Sequence, residues 1–145
     1  MTDYKNQFEI CVRAVIRNGN KILVCVGKKS GIYFFPGGHI EYGETAVAAL
    51  RRELKEELNI RLKKASFMGT VENIYKEDGQ KHHEINLVFD CAVDKTHSQS
   101  REDHIDFALL DKNEFARIKV LPITLHKNVI KWMKNKKMFW SSQAD

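Results

Sequence analysis

The sequence predicts a single α/β (α+β) domain built on a mixed β-sheet. Three observations support this: alternating, strand-like runs outnumber helical ones, only two segments carry helical periodicity, and no repeat, low-complexity tract or linker divides residues 1–145. Residues 8–16 and 21–26 are apolar runs joined at Arg17-Asn18-Gly19-Asn20, which reads as a hairpin because Asn-Gly tolerates the positive φ of a tight turn. A helix is expected from Ala46 to Leu58. Thr45 can cap it, and Val47, Leu50, Leu54 and Leu58 fall in one arc at about 100° per residue. A second strand pair, residues 65–75 and 83–93, flanks the turn-rich Lys76-Glu77-Asp78-Gly79-Gln80, and residues 104–110 add a short strand after the polar stretch 94–103. Near the C-terminus, Leu125, Val129 and Met133 with Ile130 mark an amphipathic helix whose other face carries Lys127, Lys131 and Lys134. Two helices are thus expected to cover the sheet, one on each face.

Composition narrows the class of protein. A chain of 145 residues can bury roughly two thirds of its unfolded surface in one core. No run approaches the roughly 18 apolar residues of a membrane span, and the opening Met-Thr-Asp-Tyr-Lys-Asn-Gln lacks the apolar core of a signal peptide, so a cytoplasmic protein without a membrane partner is expected. Cys11, Cys25 and Cys91 are odd in number, lie in apolar runs and form no C-x-x-C pair; they read as buried thiols, neither disulfide nor zinc site. The net charge of +5 is concentrated at one end. From Phe115 onward seven Lys or Arg face one Asp, which leaves the first 114 residues at about −1. A basic helix can attract nucleic acid, but a solvated helix face is the usual outcome.

The segment from Gly38 to Ile60 carries the chemistry. Gly38 is followed after five residues by Glu44, after seven more by Arg52-Glu53, then by Leu54, Glu56-Glu57 and an apolar Ile60. Six fixed positions matched by chance are expected in roughly one chain per million of this length. On the expected helix Glu53, Glu56 and Glu57 stand at i, i+3 and i+4, so three carboxylates share one turn and repel unless a cation lies among them. Hard oxygen donors of this kind suit Mg²⁺, with Mn²⁺ as a substitute. Glu44, ahead of the helix, reaches the same cation or holds the loop; Arg52 pairs with a glutamate and fixes its rotamer. Gly37 and Gly38 let the backbone come close enough to offer a carbonyl or amide to metal or phosphate.

This segment resembles the Nudix box, the signature of hydrolases that cleave nucleoside diphosphates linked to another moiety. The resemblance covers 23 of 145 residues and extends more loosely to Tyr33-Phe34-Phe35-Pro36 before the box and Leu121-Pro122 before the last helix. One position departs: Asn59 stands where the family usually has glycine, and asparagine is the next best residue for a left-handed cap. The resemblance implies an α/β/α sandwich with the box as loop, helix and loop. It further implies Mg²⁺ held by Glu53, Glu56 and Glu57 with a carbonyl of Gly37 or Gly38, and water attack at phosphorus in a free nucleotide: a nucleoside triphosphate, a nucleotide sugar, ADP-ribose or a dinucleoside polyphosphate. The catalytic set is then Glu53, Arg52 and Glu44, with Glu53 the first choice of general base and Glu102 or Glu84 in reserve. Removal of pyrophosphate from RNA 5′ ends, or a non-catalytic nucleotide sensor, are the alternatives; family members are often homodimers. Substrate contacts must come from outside the box. Arg13 either grips a phosphate or lies on a solvated edge, and Tyr33, Phe34 or Tyr75 either stack on a base or pack in the core.

Overall fold

The first apolar run is covered on both faces, and it becomes the hub of the sheet. In a computed structural model that describes residues 6–94 and 105–144, the elements are β1 (Phe8–Asn18), β2 (Lys21–Gly27), β3 (Tyr33–Phe34), β4 (Gly37–His39), α1 (Ala46–Leu58), β5 (Leu62–Glu77), β6 (Gln80–Val93), β7 (Ile105–Asp111), α2 (Lys112–Arg117), β8 (Val120–Leu121), α3 (Ile123–Asn135) and β9 (Phe139–Ala144). The described strands run in the order β8-β3-β2-β1-β6-β5-β9, with β4 also paired to β1 and β7 to β2. Parallel pairings (β1–β6, β3–β8, β5–β9) mix with antiparallel ones, so the sheet is mixed as expected.

Two apolar cores lie on its opposite faces. Even-numbered β1 residues Val12, Ala14 and Ile16 join Leu50, Leu54 and Leu58 of α1. Val15, together with Val71 and Val88, packs against Phe115 of α2 and Leu125, Val129 and Trp132 of α3. Burying each large aliphatic side chain contributes about 1.5–3 kcal/mol, so the α1 stripe alone fixes that helix firmly on the sheet.

Several details differ from the sequence expectation. In the first hairpin Asn18 still pairs with Lys21, so the loop is Gly19-Asn20 and Gly19 (φ 63°) supplies the positive φ, the pattern of a type II′ turn. Among the described residues there are three helices, not two; α2 is only six residues, too short for periodicity to show, although its Asp111 and Glu114 form a reciprocal capping box. Strand β9 follows α3 and pairs with β5, where Phe-Trp-Ser-Ser-Gln-Ala gives no apolar run to announce it. The helix bounds of α1, by contrast, agree with expectation at both ends.

His126 of α3 is buried, and its ring Nε2 lies 2.7 Å from the Phe115 carbonyl, to which it donates. Burial lowers its pKa below the usual 6.5. A depressed folded pKa means that the contribution is complete above the unfolded value and is lost as pH falls. The melting temperature should therefore decline between about pH 7 and pH 5.5, with a shallower decline in His126→Gln, measured by circular dichroism; equal slopes would contradict this.

Candidate functional site

Helix α1 is placed by its ends and its apolar stripe, and that placement decides where its charges go. The Thr45 hydroxyl accepts from the Ala48 N–H at 3.1 Å. At the other end Asn59 adopts the left-handed conformation (φ 53°), and its N–H reaches back to the last turn. With Leu50, Leu54 and Leu58 fully buried, Glu57 is turned inward and is only 4% exposed, whereas the Glu56 side chain remains 56% exposed. Burial, and then the neighbouring Glu53 carboxylate, push the Glu57 pKa up; the Gly37 N–H, donating to its Oε1 at 3.2 Å, and Arg13 oppose that rise.

The two glycines of the loop face different neighbours, backbone at Gly37 and a side chain at Gly38. Gly37 sits at φ 147°, and a Cβ there would run into the Val12 backbone carbonyl. A Cβ on Gly38 would lie 2.5 Å from Glu53 Oε1. The backbone thus passes directly over the Glu53 carboxylate, which a side chain at Gly38 would displace.

Arg52 organises the remaining carboxylates. Its Nε and Nη2 donate to the two oxygens of Glu44, each at 2.8 Å, Nη2 also reaches the His39 carbonyl at 3.0 Å, and Nη1 donates to Glu53 Oε1 at 2.9 Å. Glu56 Oε2 lies 3.5 Å from the same Nη1. The paired guanidinium, followed by the Glu41 N–H, draws the Glu44 pKa down to about 2. Glu44 is thereby tied both to the Glu41 N–H of its own loop and to Arg52 of α1.

The donors suit a divalent cation. Glu53 and Glu57 converge as two hard oxygen ligands without enough positive charge between them, and Mg²⁺ takes one or two carboxylates while keeping several waters. Among the described residues no set of three or more His, Cys, Asp or Glu is arranged to hold a metal; Glu56 leans toward Arg52 instead.

Arg13 lies on the central strand, not on a solvated edge. Its Nε donates to Asn86 Oδ1 at 3.3 Å and its Nη1 to the Phe35 carbonyl at 3.1 Å, beside Glu57. Phe34 and Tyr33 are half-buried and pack against the two cores, one on each face. Tyr75 stacks on His82 (centroids 4.9 Å, 12°) and donates to Glu84 Oε2 at 3.0 Å. Glu102 lies outside the described residues. The sequence reading had not singled out Glu9, His39 and Asn73. Glu9 is 3% exposed and meets His39 Nε2 at 2.9 Å and His82 Nδ1 at 2.8 Å. A cleft of about 580 Å³ runs past Glu9, His39 and Tyr42 to Arg52 and Glu53.

Residues 7–135 match the family model described as the NUDIX domain. The chain belongs to the Nudix family. Its Nudix fold is similar to that of a MutT Nudix hydrolase from Burkholderia pseudomallei (TM-score 0.71, 21% identity, 83% of this chain and 96% of that one) and a mutator MutT protein from Bacillus halodurans (TM-score 0.75, 15% identity, 94% and 90%). Among curated proteins it is 27% identical over 126 residues to an ADP-ribose pyrophosphatase of Methanocaldococcus jannaschii, covering 85% of this chain and 73% of that protein. It is 31% identical over 132 residues to a nucleoside triphosphatase NudI of Enterobacter sp., covering 72% and 88%. The chain is accordingly a Nudix hydrolase, of a family that generally uses divalent metal. Among the described residues no helix is long and apolar enough to cross a membrane.

The two glycines should behave differently when replaced. Gly38→Ala displaces only the Glu53 side chain, so it should keep the melting temperature within about 5 °C of wild type while hydrolytic activity falls at least roughly tenfold. Gly37→Ala, meeting backbone, should lower the melting temperature markedly. Thermal scans and activity assays of both variants check this, and unimpaired activity in Gly38→Ala would contradict it.

Proposed function

We propose that this Nudix hydrolase cleaves a pyrophosphate linkage in a nucleoside diphosphate derivative by water attack at phosphorus, with Mg²⁺ as the cofactor. The observation that carries the proposal is the convergence of Glu53 and the buried Glu57 beneath the Gly37-Gly38 backbone. Glu53 and Glu57, with a carbonyl of Gly37 or Gly38, would hold the ion, and Glu56 would join them on turning away from Arg52. When bound, it would neutralise the pyrophosphate and lower the pKa of a coordinated water.

The chain's own residues supply the rest. Glu53, held by Arg52 at 2.9 Å, takes the proton from the attacking water. Arg52 and Glu44 fix that carboxylate and the loop above it and do not touch substrate. Arg13, anchored through Asn86 and the Phe35 carbonyl, offers its guanidinium beside the box for a phosphate oxygen. The names of the related ADP-ribose pyrophosphatase and nucleoside triphosphatase support a small nucleotide as substrate. Three buried free thiols agree with a reducing compartment, the cytoplasm.

A product-resolved screen of nucleoside triphosphates, nucleotide sugars, ADP-ribose and dinucleoside polyphosphates with Mg²⁺ and Mn²⁺ tests the proposal. At least one substrate should release a nucleoside phosphate, and Glu53→Gln should turn it over about 10²–10⁴-fold more slowly with an unchanged circular dichroism spectrum. Absence of metal-dependent turnover across the panel would refute it.

A further inference from the structure

Strand β9 ends the sheet on one side, and its outer edge pairs with no strand among the described residues. Phe139–Ala144 runs parallel to Gly69–Ile74 of β5 in one uninterrupted register. An open edge presents main-chain N–H and C=O groups to any other chain, and proteins usually blunt it with a charge, a proline or a bulge. Phe-Trp-Ser-Ser-Gln-Ala has no charge and no proline, and its pairing has no bulge. None of the common devices closes this edge to a further strand.

The two faces of the edge differ in chemistry. Strand alternation turns Ser141 and Gln143 toward α3, where Asn128 Nδ2 donates to Ser141 Oγ at 2.9 Å and the Thr124 N–H donates to Gln143 Oε1 at 2.9 Å. Trp140 is thereby sent to the opposite face, where it stays 63% exposed. On the α3 side a groove of about 320 Å³ lies between helix and strand, and Lys131 and Lys137 are among the residues that line it. Lys127, Lys131, Lys134, Lys136 and Lys137 are met by no Asp or Glu between Ile123 and Ala144. One face of the edge is cationic, and the other carries an exposed indole.

We propose that β9 is a docking edge for an extended acidic segment of another protein. The segment adds to the sheet as a further strand, with alternate carboxylates toward Lys131 and the intervening apolar side chains against Trp140. In this mode main-chain hydrogen bonds supply affinity and alternate side chains supply specificity. A second copy of this chain matches the edge but not the charge, because it brings the same lysines together. A nucleic-acid backbone matches the lysines but not the edge, because its phosphates are acceptors only and leave the edge carbonyls unmet. An acidic strand matches both.

Fluorescence anisotropy with the intact protein tests this, in about 50 mM NaCl where surface charge is weakly screened. The probes are labelled Glu-Val-Glu-Val-Glu-Val and the block peptide Glu-Glu-Glu-Val-Val-Val, which has the same composition and charge. The alternating peptide should bind at least roughly tenfold more tightly, and at saturation it should slow hydrogen exchange of the amides of residues 139–144. Lys131→Glu, which removes one ion pair and adds a repulsion, should weaken it about fivefold or more, and Trp140→Ser should weaken it as well. Both side chains are exposed, and circular dichroism checks that the variants fold. Equal affinity for the two peptides, unchanged exchange in β9 at saturation, or unchanged affinity in folded Lys131→Glu would overturn the assignment. Tighter binding of oligouridine than of the alternating peptide would assign the surface to nucleic acid instead, and dimerisation abolished by Trp140→Ser would assign it to a second copy; either result overturns the proposal.

Discussion

A carboxylate buried against a second carboxylate is unfavourable unless positive charge is brought to it, and the arrangement around Glu57 and Glu53 follows from that constraint. The apolar stripe of α1 forces Glu57 inward, because Leu54 and Leu58 on either side of it are fully buried. The Gly37 N–H and the Arg13 guanidinium oppose the resulting cost but do not cancel it, since the Glu57 pKa stays above the ordinary carboxylate range. A site that retains such a deficit is suited to a cation. Arg52 is not that cation: its donors are committed to Glu44, the His39 carbonyl and Oε1 of Glu53. It holds Glu53 and does not reach Glu57.

The sheet sets where the rest of the substrate can lie. Strand β1 is bordered by β4 at Cys11–Arg13 and by β6 along most of its length, so one residue of it, Arg13, touches both the box loop and the strand that carries Asn86 and Glu84. The box loop and β6 are therefore connected through a single rigid element. Sites built on strands hold their geometry better than sites built on loops. Only the cleft rim, with Tyr42 fully exposed, depends on loop residues.

The parts of this site that were legible in the sequence are those whose residues are neighbours in the chain. Glu53, Glu56 and Glu57 occupy one helical turn, Thr45 and Asn59 bound that helix, and the glycines precede it by a few residues, so spacing alone nearly specifies their geometry. Arg13 stayed ambiguous because its partner Asn86 is 73 residues away and sequence does not reveal which strand lies beside it. Glu9 and Asn73 went unnoticed for the same reason, although Glu9, Arg13 and Arg17 recur every fourth residue in an apolar run, which on a strand means one face. Tyr33 and Phe34, open in the sequence to stacking or packing, are sent by strand alternation against opposite cores. Short elements were the least legible: two- and three-residue strands and a six-residue helix are fixed by their partners more than by propensity.

The central claim is that the Glu53–Glu57 pair beneath Gly37 and Gly38 is a divalent-cation site. Mn²⁺ binding followed by electron paramagnetic resonance, on wild type and on Glu53→Gln and Glu57→Gln with circular dichroism as the folding control, tests it most directly. The account predicts saturable Mn²⁺ binding by wild type, competed by Mg²⁺, and weakened at least roughly tenfold in each variant. Unaltered Mn²⁺ affinity in a folded Glu57→Gln protein would contradict it.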